Sequence, residues 1–145
     1  MPNHVIERVL PFSDKQLFDL VSDIENYPLF LPWCEAARII KREGDVIFAD
    51  LVVHFRGVTG KYTSRVMLNQ KEMHISVELA EGPFEYLNQN WKFLKDQEGT
   101  CVCFDIDFKL HSFVLEKMMN LMFDQACAKM MDAFERRALH LYTHN

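Results

Sequence analysis

Between residues 34 and 111 apolar and polar side chains alternate, and beyond residue 113 the repeat lengthens to that of a helix. The alternation is cleanest at the end of the first stretch. Val102, Phe104, Ile106, Phe108 and Leu110 share one face, and Cys101, Cys103, Asp105, Asp107, Lys109 and His111 the other. Ile47, Ala49, Leu51, Val53 and Phe55 repeat the pattern, as do Ile75, Val77 and Leu79. Turn signals fall at Gly44-Asp45, Arg56-Gly57, Asn69-Gln70-Lys71, Glu81-Gly82-Pro83 and Asp96-Gln97-Glu98-Gly99. They delimit six strands of about 8–12 residues. One wet and one buried face per strand is the signature of antiparallel sheet, and short connections favour consecutive hairpins.

Upstream, His4–Leu10 predicts a first strand ended by Pro11, which brings the total to about seven. Ser13 and Gln16 stand at capping-box spacing, and Leu17, Phe18, Leu20, Val21 and Ile24 give the helix that follows an apolar face. Tyr27 to Trp33, bracketed by Pro28 and Pro32, predicts a short second helix or turn. Downstream, Phe113 to Tyr142 holds no Pro or Gly. Leu115, Met119, Met122, Phe123, Ala126, Met130, Ala133, Phe134 and Leu141 form its apolar stripe, with Lys117, Asp124, Gln125, Asp132, Glu135 and Arg136 opposite. At about 1.5 Å per residue this helix is roughly 40 Å long, enough to cross a domain. The expected architecture is α+β. A curved antiparallel sheet of about seven strands wraps a long C-terminal helix, with two short helices after the first strand, in one domain over residues 1–145.

Composition sharpens this picture. Apolar residues make up 49% of the 145, with twelve Phe and eight Met, five of the latter between Met118 and Met131. Methionine is flexible and polarizable, so the inward bulk fits either a filled core or the wall of an apolar cavity. Tyr27–Trp33 fits either a cap on that core or an apolar surface patch, and a lid would be both. The net charge of −5 disfavours non-specific nucleic-acid binding. No run approaches the roughly 18 apolar residues of a spanning helix, and no secretory or transit pattern opens the chain. A cytoplasmic protein is therefore expected, with Cys34, Cys101, Cys103 and Cys127 as reduced thiols.

Candidate chemistry is sparse. Cys101-x-Cys103 has no second pair at finger spacing, so no metal site is expected. Cys34 carries no nucleophile signature, and no phosphate- or dinucleotide-binding glycine loop is present. Asp105 and Asp107 lie on the polar strand face, where solvation rather than acid–base work is expected. Arg137 continues the apolar stripe of the last helix, so it either snorkels past the core or meets a buried acid or a ligand's polar head.

Leu17-Phe18-Asp19-Leu20-Val21, Tyr27-Pro28-x-Phe30-x-Pro32-Trp33-Cys34, Gly82-Pro83-Phe84, Leu87, Trp91-x-Phe93 and Ala133-Phe134-Glu135-Arg136-Arg137-Ala138 together resemble the coenzyme-Q-binding protein family. That family belongs with the START-like, polyketide-cyclase-like helix-grip domains, which include bacterial ribosome-association toxins. The resemblance spans about residues 4 to 142. It implies a tunnel between sheet and helix that takes ubiquinone or a similar isoprenoid lipid, without catalysis and with the quinone as ligand rather than cofactor. The expected lining is Leu51, Val53, Phe55, Ile75, Val77, Phe84, Trp91, Phe104 and Phe108 from the sheet, and Met119, Met122, Phe123 and Ala126 from the helix. Phe30 and Trp33 would guard the mouth, with Pro32 between them as a further binding residue, in transient contact with a membrane surface, so the protein would be cytoplasmic or peripheral at the inner membrane. Two rivals follow from the same resemblance. A toxin-type protein would dock on the large ribosomal subunit and block subunit joining, with Lys61, Arg65 and Lys71 as its basic surface. A cyclase-like enzyme would need polar residues inside the tunnel, and the inward strand positions named above carry none.

Overall fold

The computed structural model describes residues 3–55 and 57–143; the side chains of Asn3, Phe55, Val58 and Met122 also lie outside the described set. Strand β1 (Asn3–Leu10) leads into helix α1 (Asp14–Ser22) and a 3₁₀ turn at Ile24–Leu29. Six strands follow: β2 (Cys34–Glu43), β3 (Val46–Phe55), β4 (Val58–Asn69), β5 (His74–Glu81), β6 (Phe84–Asp96) and β7 (Gly99–Leu110). Helix α2 spans Phe113–Tyr142. The sheet order is β1-β7-β6-β5-β4-β3-β2, so a meander of consecutive hairpins ends with β7 against the first strand. All neighbours are antiparallel.

Strand register sets the inner face. Directly paired residues share a face, and the paired rows Phe104–Trp91–Ile75 and Ile106–Gln89–Val77 run across three strands. On β3 and β4 the inward pairs are Val53–Gly60, Leu51–Tyr62, Ala49–Ser64 and Ile47–Val66. Register shifts at Cys34/Ala36, Ile39/Lys41, Thr63/Ser64 and Phe84/Tyr86 bend the strands and curl the sheet.

The capping box forms as the sequence predicts: Gln16 N–H donates to Ser13 Oγ at 3.1 Å, and Ser13 N–H donates to Gln16 Oε1 at 3.0 Å. Leu17, Phe18, Leu20 and Val21 of α1 are buried, against β5, β6 and α2. The second helical segment starts at Ile24, ahead of the expected Tyr27, and ends before Pro32. Its position is fixed by the Tyr27 hydroxyl, which donates to Val21 O. Residues 30–33 then turn into β2, and His54 N–H donates to Trp33 O at 2.8 Å, tying that turn to β3.

Helix α2 lies on β1 and β7 and meets α1. Its buried residues, among those described, are Cys127, Met130, Met131, Ala133, Phe134 and Ala138, all from its midpoint onward. The expected stripe is corrected at both ends, where Leu115 is 36% and Leu141 42% exposed. Phe113, Val114 and Leu121 also face solvent. The helix outruns the surface that covers it, so one continuous apolar stripe is buried only in part. Arg8 and His4 fasten it to β1: Arg8 Nη1 donates to Asp132 Oδ1 at 2.6 Å, and His4 Nδ1 lies 2.9 Å from Asp124 Oδ1.

Candidate ligand-binding site

The gripped helix does not fill the curve of the sheet. A cavity of about 150 Å³ lies between them, walled by Val53, Tyr62, Phe84, Leu87, Gln89, Phe104, Ile106 and Phe108 of the sheet. Met119, Phe123, Ala126, Cys127 and Met130 of α2, with Trp33 ahead of β2, complete the wall. A single water needs about 10–15 Å³ of such space, so this is about ten times a one-water void. A second cavity of about 60 Å³ lies toward α1 and the 3₁₀ turn, lined among others by Ile24, Tyr27, Leu31, Leu51, Ile75, Val77, Trp91 and Phe134. Trp33, Tyr62, Gln89 and Met130 line both, so the two spaces share a waist.

Aromatic side chains give the wall its shape. The Trp91 ring lies 4.5 Å from Phe104 and 5.4 Å from Phe134 between centroids, and Tyr62 meets Phe84 edge-on at 5.8 Å. On the β1 side the His4 ring packs over Phe123 at 4.7 Å and Phe108 at 6.1 Å, behind its hydrogen bond to Asp124. That polar stitch sits outside the cavity and holds the apolar rings in place.

Two polar groups stand at the waist. Gln89 takes an inward position between Val77 and Ile106, in an otherwise apolar row. Its side chain makes no hydrogen bond to another described residue, which leaves a donor and an acceptor for a ligand. Burial raises the Tyr62 hydroxyl above its ordinary value, so it stays a neutral donor. Cys127, also on the wall, is held as a neutral thiol, pushed by burial up to about 12. Cys34 is raised by burial to about 11, the opposite of what an activated nucleophile needs. Ser64 is satisfied, donating to Ala49 O at 3.4 Å.

The residues expected at the site fall as follows. Val53, Phe84, Phe104, Phe108, Met119, Phe123 and Ala126 line the larger cavity. Leu51, Ile75, Val77 and Trp91 line the smaller one, and Trp33 lines both. Phe30 lies elsewhere: it packs on Phe134 at 5.2 Å and under the Arg137 guanidinium at 5.5 Å, outside both described linings. Pro32 is exposed beside them. The Phe55 and Met122 side chains lie outside the described residues. Arg137 lays its cation on the Phe30 ring, and its Nε is buried without a partner among the described residues. Tyr62, Leu87, Gln89, Ile106, Cys127 and Met130 complete the larger lining without having been expected there. Gln89 and Tyr62 also correct the expectation that the inward strand positions carry no polar group.

A seven-stranded antiparallel sheet gripping one long helix over an apolar cavity defines a START-like helix-grip domain. The chain belongs to the polyketide cyclase / dehydrase and lipid transport family, whose pattern it matches over residues 10–135. It is 42% identical to the "Ribosome association toxin RatA" of Rickettsia prowazekii, over 90% of this chain and 92% of that one. It is 30% identical to the "Coenzyme Q-binding protein COQ10 homolog B, mitochondrial" of Xenopus laevis, covering 93% of this chain and 57% of that longer protein. An 18 kDa protein of Caulobacter crescentus with a solution structure superposes with a TM-score of 0.83 at 35% identity, over 99% of this chain and 100% of that one. No described helix is long and apolar enough to cross a membrane.

Proposed function

We propose that this protein binds ubiquinone or a related isoprenoid lipid in the cavity between sheet and α2, and carries it rather than transforms it. The observation that supports this reading best is the apolar cavity itself, with Tyr62 and Gln89 offering polar groups at the waist. A quinone carbonyl would accept from either, while the tail runs along Phe104, Phe108, Phe123 and Met119. Affinity would come mainly from apolar burial, at roughly 25 cal/mol per Å², so tail length should count for more than head-group chemistry. The relative named for coenzyme Q binding supports the choice of ligand. Solvent extraction of the protein purified from its own host, followed by mass spectrometry, is expected to recover an isoprenoid lipid. Added ubiquinone is expected to quench Trp33 fluorescence, with short-tailed analogues binding more weakly. An empty extract together with no quenching would overturn the reading.

A second reading, docking on the ribosome, is favoured by the 42% identity to a protein named for ribosome association. The basic residues expected to serve it are largely neutralised: Arg65 pairs with Glu78 at 2.8 Å, and Lys61 approaches Asp50 at 3.8 Å. The expected result is therefore no co-sedimentation with large ribosomal subunits at about 0.15 M salt, where surface charge acts over about 8 Å. Stoichiometric co-sedimentation would favour the toxin-type reading instead.

A further inference from the structure

The convex face of the sheet, away from the cavity, brings three metal-ligating side chains together. Cys101 and Cys103 stand on alternate positions of β7, their sulfurs 3.8 Å apart. Glu7 is the β1 residue paired directly with Cys103, and its Oε2 lies 3.3 Å from Cys103 Sγ. One ligand atom from each of the three falls within 4.8 Å of the others. From the spacing of the cysteines alone no site is expected, because the third donor comes from the opposite end of the chain.

We propose that Glu7, Cys101 and Cys103 form a binding site for zinc or a similarly thiophilic divalent cation, which clamps edge strand β1 to β7. Tetrahedral zinc with Zn–S bonds of about 2.3 Å places two ligating sulfurs about 3.8 Å apart, the separation found here. A Zn–O bond of about 2.1 Å asks for about 3.6 Å between sulfur and oxygen, a small side-chain movement from the present 3.3 Å. Two thiolates and one carboxylate match the soft and borderline preference of zinc, and solvent takes the fourth position. Binding balances without redox change. Each thiol releases its proton to solvent, two sulfur–metal bonds and one oxygen–metal bond form, and the ion sheds water.

The clamp has a mechanical sense. β1 pairs with β7 alone and is an edge of the sheet, yet it carries His4 and Arg8, which fasten α2 over the cavity. An ion across Glu7 and Cys103 would hold that strand, and with it the anchor points of α2, in register.

The test uses the full-length protein, reduced and stripped of metal, titrated with zinc alone and separately with cadmium. One equivalent is expected to bind, with a thiolate-to-cadmium charge-transfer band and a higher melting temperature. The C101S/C103S variant should lose the band and the thermal shift, and Glu7→Gln should bind at least tenfold more weakly. All three positions are on the outer face, so melting of each variant without metal controls for folding. Equal uptake by wild type and C101S/C103S, no uptake by wild type, or a melting temperature that zinc leaves unmoved would overturn the proposal.

Discussion

Replacing Ala126 with Phe is expected to lower ubiquinone affinity about 60-fold while leaving the fold intact. Ala126 lies on the face of α2 that borders the larger cavity, between Phe123 and Met130. A benzyl group there projects into open space rather than into packed atoms. Overpacking a full core costs typically about 1–3 kcal/mol, but a cavity of about 150 Å³ accepts the ring, so a change in stability below about 1 kcal/mol is expected. The ligand meets the opposite balance. Excluding about 100 Å² of its apolar surface costs about 2.5 kcal/mol at about 25 cal/mol per Å², and each 1.4 kcal/mol is tenfold. Quenching of the two tryptophans measures the affinity directly, since Trp33 lines both cavities and Trp91 the smaller. Gln125→Phe, which puts the same ring on the exposed face of the same turn, is the control and should bind as wild type does. Undiminished binding by Ala126→Phe would place the ligand outside this cavity.

The parts of this site that were legible in the sequence are those where local pattern and tertiary face agree. β7 alternates without interruption, so the pattern alone points Phe104 and Phe108 inward, as they are. The capping box was readable because it is satisfied within four residues. β4 was opaque for a physical reason. Its inward row runs Gly60, Tyr62, Ser64, Val66 and Leu68, and only the last two are aliphatic. Small or amphipathic residues facing inward are what leave room for a cavity, and they erase the alternation that would have announced the strand's buried face. Gln89 was hidden the same way: it occupies an inward slot in the run Leu87, Gln89, Trp91 and Phe93, where it reads as a break in the pattern rather than as part of the site. On α2 the 3.6-residue repeat is real, but periodicity cannot tell how far the covering sheet extends, and so it places Leu115 and Leu141 on a buried face they do not reach. Glu7, Cys101 and Cys103 form the extreme case, because strand pairing between the two ends of the chain creates the cluster.

Gly99→Ala is expected to be the most damaging single-methyl change in the molecule, at about 3 kcal/mol or more. Gly99 opens β7 after the turn from β6, with φ of +140°, a region that side chains rarely adopt. A Cβ at this position would stand 2.1 Å from Leu10 O and 2.9 Å from Pro11 Cα. Both obstacles are backbone, so no rotamer change relieves them. The neighbouring residue makes the displacement worse. Thr100 is fully buried, and its Oγ1 donates to Phe12 O at 2.7 Å, joining β7 to the segment that leads from β1 into α1. Backbone strain of this kind costs about 1–3 kcal/mol, and an orphaned buried hydrogen-bonding group about another 1–3. For a domain of this size each kcal/mol lowers the melting temperature by about 2–4 °C, so a fall of about 6–12 °C is expected in a thermal scan. Gly44→Ala separates the causes: its φ is +61°, but nothing lies within 4 Å of the added methyl, so only about 1 kcal/mol should be lost. Equal losses in the two variants would mean that dihedral strain alone governs Gly99, and that the close approach of Leu10 and Pro11 can relax.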